Sequence, residues 1–134
     1  MGDGLSAPGP TLRAMGGDLD RKRTGAVGEQ AAADRYLAAG YRVLARNWRC
    51  PLGELDLILA RGSTVVICEV KARRSVALGG PHEAVTHAKR RKLRALAEAY
   101  LLSAGLDPAE IRFDVASVAV GPGAPDVHVF EHAF

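Results

Sequence analysis

The stretch from Gly53 to Lys71 limits the possible folds most, because it reads as two strands joined by a turn tight enough for their register to be counted. Leu55, Leu57 and Leu59 alternate with Glu54, Asp56, Ile58 and Ala60, the period of two that marks a β-strand. The run from Thr64 to Lys71 is rich in β-branched residues and sets Val65, Ile67, Glu69 and Lys71 on one face. Between the two, Gly62-Ser63 fits the glycine-first, two-residue loop of a type II′ hairpin. Arg61 then opposes Thr64 and, counting back, Asp56 opposes Glu69. Directly opposed residues share a face with Cβ atoms about 4.5–5.5 Å apart. The hairpin therefore sets two carboxylates side by side, with the ammonium of Lys71 further along the same face.

Like charges in direct opposition destabilise a strand pair, so a close carboxylate pair must share a proton or take up a cation. Magnesium favours hard oxygen ligands from one or two carboxylates, completed by water and phosphate oxygens. A lysine beside such an ion can orient or deprotonate a water, or steady charge developing on a phosphate. The plain structural alternative is a surface hairpin in which Asp56, Glu69 and Lys71 form solvated ion pairs.

At 134 residues, the chain fits one domain with a real core. A quarter of charged residues and nearly half hydrophobic is the balance of a soluble globular protein. The net charge of +3 is concentrated. Between Lys71 and Arg94, the bases Lys71, Arg73, Arg74, Lys89, Arg90, Arg91, Lys92 and Arg94 meet a single acid, Glu83. Such a patch suits a polyanion, although a solvated helix face would also carry it. Cys50 and Cys68 make no disulfide framework and stand at no zinc-site spacing, which points to reduced thiols in a cytoplasmic protein. No apolar run has transmembrane length and no signal-peptide core is present, so no membrane partner is expected. Met1-Gly2 with Ser6 fits the short myristoylation pattern, which in the absence of any other membrane feature reads as chance.

Residues 1–22 are rich in Gly, Pro, Asp and Ser without periodicity and read as a disordered tail, with Met15 an alternative start; 23–134 form the single domain. Thr24 to Ala39 is helical, ended by Gly40, with Ala26, Glu29, Ala33, Tyr36 and Leu37 on one face. Glu29 on that face suits the helix dipole or the core's rim, or looks toward the sheet carboxylates. Tyr41 to Trp48 is a first strand, followed by the hairpin and a loop to about Pro81. A second helix starts near His82, or at Thr86 as N-cap, and runs to Ala104, where Gly105 stops it; Leu93, Leu96, Ala97, Tyr100, Leu101 and Ala104 form its buried stripe. Lys89, Arg90, Arg91, Lys92 and Arg94 crowd its first half against the dipole's preference, which a phosphate partner explains better than helix stability does. Ile111 to Val120 reads as a central strand and Asp126 to Glu131 as a last short one. His82, His87, His128 and His132 stand at no ligand spacing. The order is α-β-β-β-α-β-β: an α/β fold with a mixed sheet of four or five strands and a helix on each face.

Several motifs in sequence carry a specific resemblance: Gly25-x-x-Gly28-Glu29, Gly40-Tyr41-x-x-Leu44-x-x-Asn47, Gly53-Glu54-Leu55-Asp56-Leu57-Ile58, Glu69-Val70-Lys71-x-Arg73 and Val85-Thr86-x-x-Lys89. With Phe113-Asp114-Val115 and the terminal Ala133-Phe134, the chain from about residue 24 onward resembles the YraN family of small bacterial proteins, uncharacterised protein family 0102. The resemblance implies the restriction-endonuclease-like fold of the PD-(D/E)xK nucleases, nearest to archaeal Holliday junction resolvases. On that resemblance Asp56 matches the metal-binding aspartate of the second strand, Glu69 and Lys71 the Glu-x-Lys of the third, and Glu29 the helix glutamate that completes the site. Leu55 stands where the superfamily name expects proline, a departure that touches no ligand.

The expectation that follows is an endonuclease using Mg2+ (or Mn2+) to hydrolyse phosphodiester bonds in DNA, branched or otherwise structured DNA included. Its catalytic residues would be Lys71, Glu69, Asp56 and Glu29, the last three as metal ligands. Arg73, Lys89, Arg90, Arg91 and Arg94 would hold the nucleic acid, and a two-fold homodimer would address two strands. The alternative is a nucleic-acid-binding module of the same fold that does not cut, and a third reading is an adaptor whose basic helix docks an acidic partner.

Overall fold

The computed structural model describes residues 9–74 and 86–134, with side chains from residue 19 onward. Its elements are α1 (Gly9–Ala38), β1 (Arg42–Cys50), β2 (Gly53–Arg61), β3 (Thr64–Arg73), α2 (His87–Ala104), β4 (Glu110–Ala119) and β5 (Asp126–Phe130). This is the expected α-β-β-β-α-β-β order. The strands form one sheet in the order β1-β2-β3-β4-β5. β1, β2 and β3 are an antiparallel meander, α2 crosses over to make β4 parallel to β3, and β5 returns antiparallel to β4.

The hairpin forms as counted. Arg61 faces Thr64, Leu57 faces Cys68, and Gly62 takes the left-handed φ of 59° that the first position of a type II′ turn requires. Ser63 then fixes the neighbouring strand. Its carbonyl accepts from the backbone of Ala109 and Glu110, and its hydroxyl accepts from Ala109 at 2.8 Å. The turn thus pins the start of β4 beside the start of β3.

Two cores lie on opposite faces of the sheet. On the α2 side, Leu55, Ile58, Ala60, Val65, Ile67 and Phe113 pack against Leu93, Leu96, Ala97, Tyr100 and Leu101. On the α1 side, Leu57, Leu59, Val66, Cys68, Ala116 and Val118 pack against Ala32, Ala33 and Tyr36. β2 is therefore buried on both faces, as its unbroken apolar run Leu57 to Ala60 allows. α2 begins with Thr86 as N-cap, its hydroxyl accepting from Lys89 N at 3.1 Å, and ends at Gly105 in the left-handed region. Ala104 is exposed and does not extend the buried stripe. The C-terminal segment closes the α2-side core: Ala133 N donates to Phe113 O at 2.7 Å, and the Phe134 ring lies 5.2 Å from that of Phe113.

α1 departs from expectation in length and in phase. It is helical from Gly9, so the tail expected to lack regular structure is helix wherever it is described; residues 1–8 lie outside the described residues, as does the loop expected up to Pro81 from residue 75. Each residue added to a nucleated helix gains a hydrogen bond, which outweighs the weak propensity of the scattered glycines, and Pro10 is tolerated in the first turn. The buried face runs Thr24, Gly28, Ala32, Ala33 and Tyr36, whereas Ala26 and Leu37 are exposed. Small residues set this contact. A Cβ on Gly28 would lie 2.4 Å from the Cβ of Ala72, so α1 crosses the end of β3 at backbone range.

One polar group is fully buried under α1. Asp114 accepts from Tyr36 Oη at 2.6 Å, from Arg112 Nε and Nη2 at 2.9 Å each, and from His132 N at 3.2 Å. The carboxylate is fully bonded and ties α1, β4 and the C-terminal turn together. In sequence, Arg112 and Asp114 read simply as part of an apolar strand.

Candidate functional site

The sheet splits where the two carboxylates stand. β2 remains paired with β1 as far as Cys50–Gly53, and β3 with β4 as far as Arg73–Ala119, but pairing between β2 and β3 ends at Leu57–Cys68. One step beyond, the register sets Asp56 across from Glu69. There the Asp56 side chain replaces the ladder, Oδ2 accepting from Val70 N at 2.9 Å. The notch between the parted strands is the site.

Asp56 and Glu69 hydrogen-bond each other through their carboxyl groups. Burial first, then this bond and the charge of Glu69, push the Asp56 carboxyl up to about 8; Glu29 adds to the rise, and the Val70 N–H opposes it. Asp56 therefore keeps its proton at neutral pH. Glu69 is met from α2, where Lys89 Nζ lies 3.1 Å from Glu69 Oε2. Lys71, partly buried, shares Glu69's side of β3 by strand alternation.

Glu29 reaches the same region from α1, and the close approach at Gly28 is what brings it there. Its Oε1 accepts from Asn47 Nδ2 at 3.2 Å. Asn47 lies on β1 between Arg46 and Trp48, which pair with Leu57 and Leu55, so it flanks Asp56. Its φ of 49° is left-handed, a conformation asparagine tolerates better than most residues. Among the described residues no three carboxylate, histidine or cysteine groups gather closely enough to hold a metal ion. The donors brought together are Asp56 and Glu69, with Glu29 beside them and bonded to Asn47. Two carboxylates with only hard oxygen atoms match what magnesium takes from a protein when water and phosphate complete its shell.

Basic groups lie on both sides of the notch. Arg73, the last residue of β3, and Arg74 just after it border a cleft of about 440 Å³ that is also lined by Glu29 and Thr24 on α1. Arg74 Nη1 is 3.6 Å from Asp20. On α2, Arg90 and Arg91 are exposed, while the Arg94 guanidinium lies 4.7 Å over the Phe113 ring. Sequence reasoning missed the Lys89–Glu69 contact and the part of Asn47. Asn47 and Lys89 both stand inside the motifs quoted above, which is the signal that could have singled them out.

Fold and site together define a small mixed α/β protein with a paired-carboxyl notch at a strand divergence, flanked by lysines. The chain belongs to uncharacterised protein family UPF0102, whose model matches residues 28–118. It is 48% identical to a UPF0102 protein of Moorella thermoacetica over 100 residues, covering 75% of this chain and 83% of that one. A UPF0102 protein of Symbiobacterium thermophilum is 47% identical over 114 residues, 84% of this chain and 97% of the relative. One from Mycolicibacterium vanbaalenii is 48% identical over 107 residues, 80% and 88% of the two chains. Both Asp56 and Glu69, with Lys71, fall inside the family match. Among the described residues, no helix is long and apolar enough to cross a membrane.

Proposed function

We propose that this protein is a divalent-metal-dependent endonuclease of the restriction-endonuclease-like class, acting on DNA in the cytoplasm and suited to branched or structured DNA. The observation that carries the reading is the Asp56–Glu69 pair, two carboxyls in hydrogen-bond contact in a notch that the sheet opens for them. Such a pair is destabilising unless it serves a cation or a shared proton. Asp56 and Glu69 would hold Mg2+ or Mn2+ by their oxygens, and Glu29 would support them through Asn47 and its charge. The bound ion would polarise the scissile phosphate and lower the pKa of a water. Lys71 orients that water or steadies the phosphate's developing charge. Arg73, Lys89, Arg90, Arg91 and Arg94 hold the backbone of the nucleic acid on either side.

The test is cleavage of a panel of branched, flapped, single-stranded and duplex DNA with magnesium, with manganese and with chelator. Cleavage that appears with metal and vanishes with chelator supports the reading. Salt-dependent DNA binding without cleavage under any metal would replace it with the non-cutting module. Loss of both would leave the adaptor.

A further inference from the structure

Lys89 occupies a position that an isolated helix disfavours for a cation. It lies in the first turn of α2, where the positive end of the helix dipole repels an ammonium. The Thr86 cap, accepting from Lys89 N at 3.1 Å, fixes that turn. From there the side chain spans to β3 and sets Nζ 3.1 Å from Glu69 Oε2, while Asp56 borders Glu69 from β2. Glu69 is largely buried and Lys89 about half exposed, so the lysine enters from solvent to a carboxylate that could not otherwise stay charged without cost.

We infer that Lys89 is the internal counter-ion of the carboxylate pair, holding Glu69 in the metal-free protein where a divalent cation enters and turning to the substrate phosphate when it does. The second half of this inference rests on the nuclease reading; the first does not. Ammonium and metal compete for the same oxygen, and both cannot sit against it without repelling each other at short range. The four-carbon stem of lysine, half in solvent, swings away with little loss of packing. An ammonium displaced from Glu69 remains within a side-chain length of any phosphate bound at the pair. Lys89 is thus a positioning residue for the carboxylates, and only on metal entry a contact to substrate.

Two measurements test this. In chelator, melting temperatures are compared for Lys89→Met, Glu69→Gln and the double variant. Lys89→Met should lower the midpoint by a few degrees in the wild-type background and have no resolvable effect beside Glu69→Gln, and Lys89→Arg should keep the wild-type value. Equal losses in both backgrounds would overturn the counter-ion. Second, Mn2+ is titrated calorimetrically into wild type and Lys89→Met without DNA. Removing the competitor should lower the Mn2+ Kd about two- to fivefold, the worth of a partly exposed ion pair. Unchanged or weaker binding would overturn the exchange. If neither protein binds Mn2+ while the Lys89–Glu69 coupling persists, the exchange and the nuclease reading fall together and the counter-ion stands.

Discussion

Asp56 keeps its proton in the folded, metal-free protein up to about 8, whereas in the unfolded chain a carboxyl loses it near 3.8. Between those values the folded state binds more protons, so raising the pH destabilises it. The contribution is fully present below 3.8 and is lost as the pH passes about 8. Thermal melts in chelator should therefore fall by several degrees from pH 5 to pH 8.5, and Asp56→Asn should flatten the slope; equal slopes in both proteins would refute the raised Asp56 carboxyl. Metal enters only the ionised pair, so Mn2+ affinity should rise over the same range. Asp56→Asn and Glu69→Gln should abolish metal-dependent cleavage while DNA affinity in chelator persists. Lys71→Ala should lose cleavage yet still bind metal. Undiminished cleavage in both carboxylate variants would sink the nuclease reading. At this scale the opposition of Asp56 and Glu69 was legible, because a two-residue turn and a period of two leave one register to count. Lys89 was not: no local pattern shows which face of β3 the first turn of α2 will meet. Asn47 was hidden likewise, since a left-handed residue inside a strand leaves no trace in alternation.

Among the elements, α1 shows how a wheel can be right in part: Ala33 and Tyr36 are buried as drawn, whereas Ala26 and Leu37 face solvent. Its large apolar residues Val27 and Leu37 are exposed, and its contact is made by Gly28, Ala32 and Ala33. Hydrophobic scale values favour the large residues, but close helix–strand approach selects the small ones. Gly28→Ala places a methyl 2.4 Å from Ala72 Cβ and should cost about 1–3 kcal/mol in denaturant titrations. Ala72→Gly should restore part of that loss, and a neutral Gly28→Ala would mean that α1 does not approach β3 so closely. Of the two starts the sequence offers for α2, His82 lies outside the described residues and Thr86 is the cap; both observed caps are local chemistry, a threonine hydroxyl at one end and a left-handed glycine at the other. Its arginines now separate by role. Arg94 is spent partly on the Phe113 ring, so Arg90→Ala/Arg91→Ala is the cleaner variant. It should reduce the slope of log DNA affinity against log salt by about two, one for each phosphate contact. An unchanged slope would leave the patch a solvated face.

For the whole molecule, the element order and the mixed sheet were legible, since each strand and helix carries its own period and stops. The extent of α1 was not. Gly16, Gly17 and Pro10 read as breakers, and nothing local reveals that a helix started downstream will propagate through them. Among the described side chains of this extension, Asp20 makes an exposed ion pair with Arg74, worth about 1 kcal/mol at most. Deletion of residues 1–20 should accordingly leave the melting temperature within a few degrees of the full chain, and a large drop would show that this part of α1 belongs to the domain's core.

The far end of the chain has a practical consequence for every assay proposed above. Ala133 is bonded to β4 and Phe134 packs among the side chains under α2. An affinity tag or fluorophore fused after Phe134 would have to leave from inside that packing and would pull on Phe113, the ring on which Arg94 rests. Handles for immobilisation and labelling belong at the opposite end, ahead of α1, rather than after Phe134.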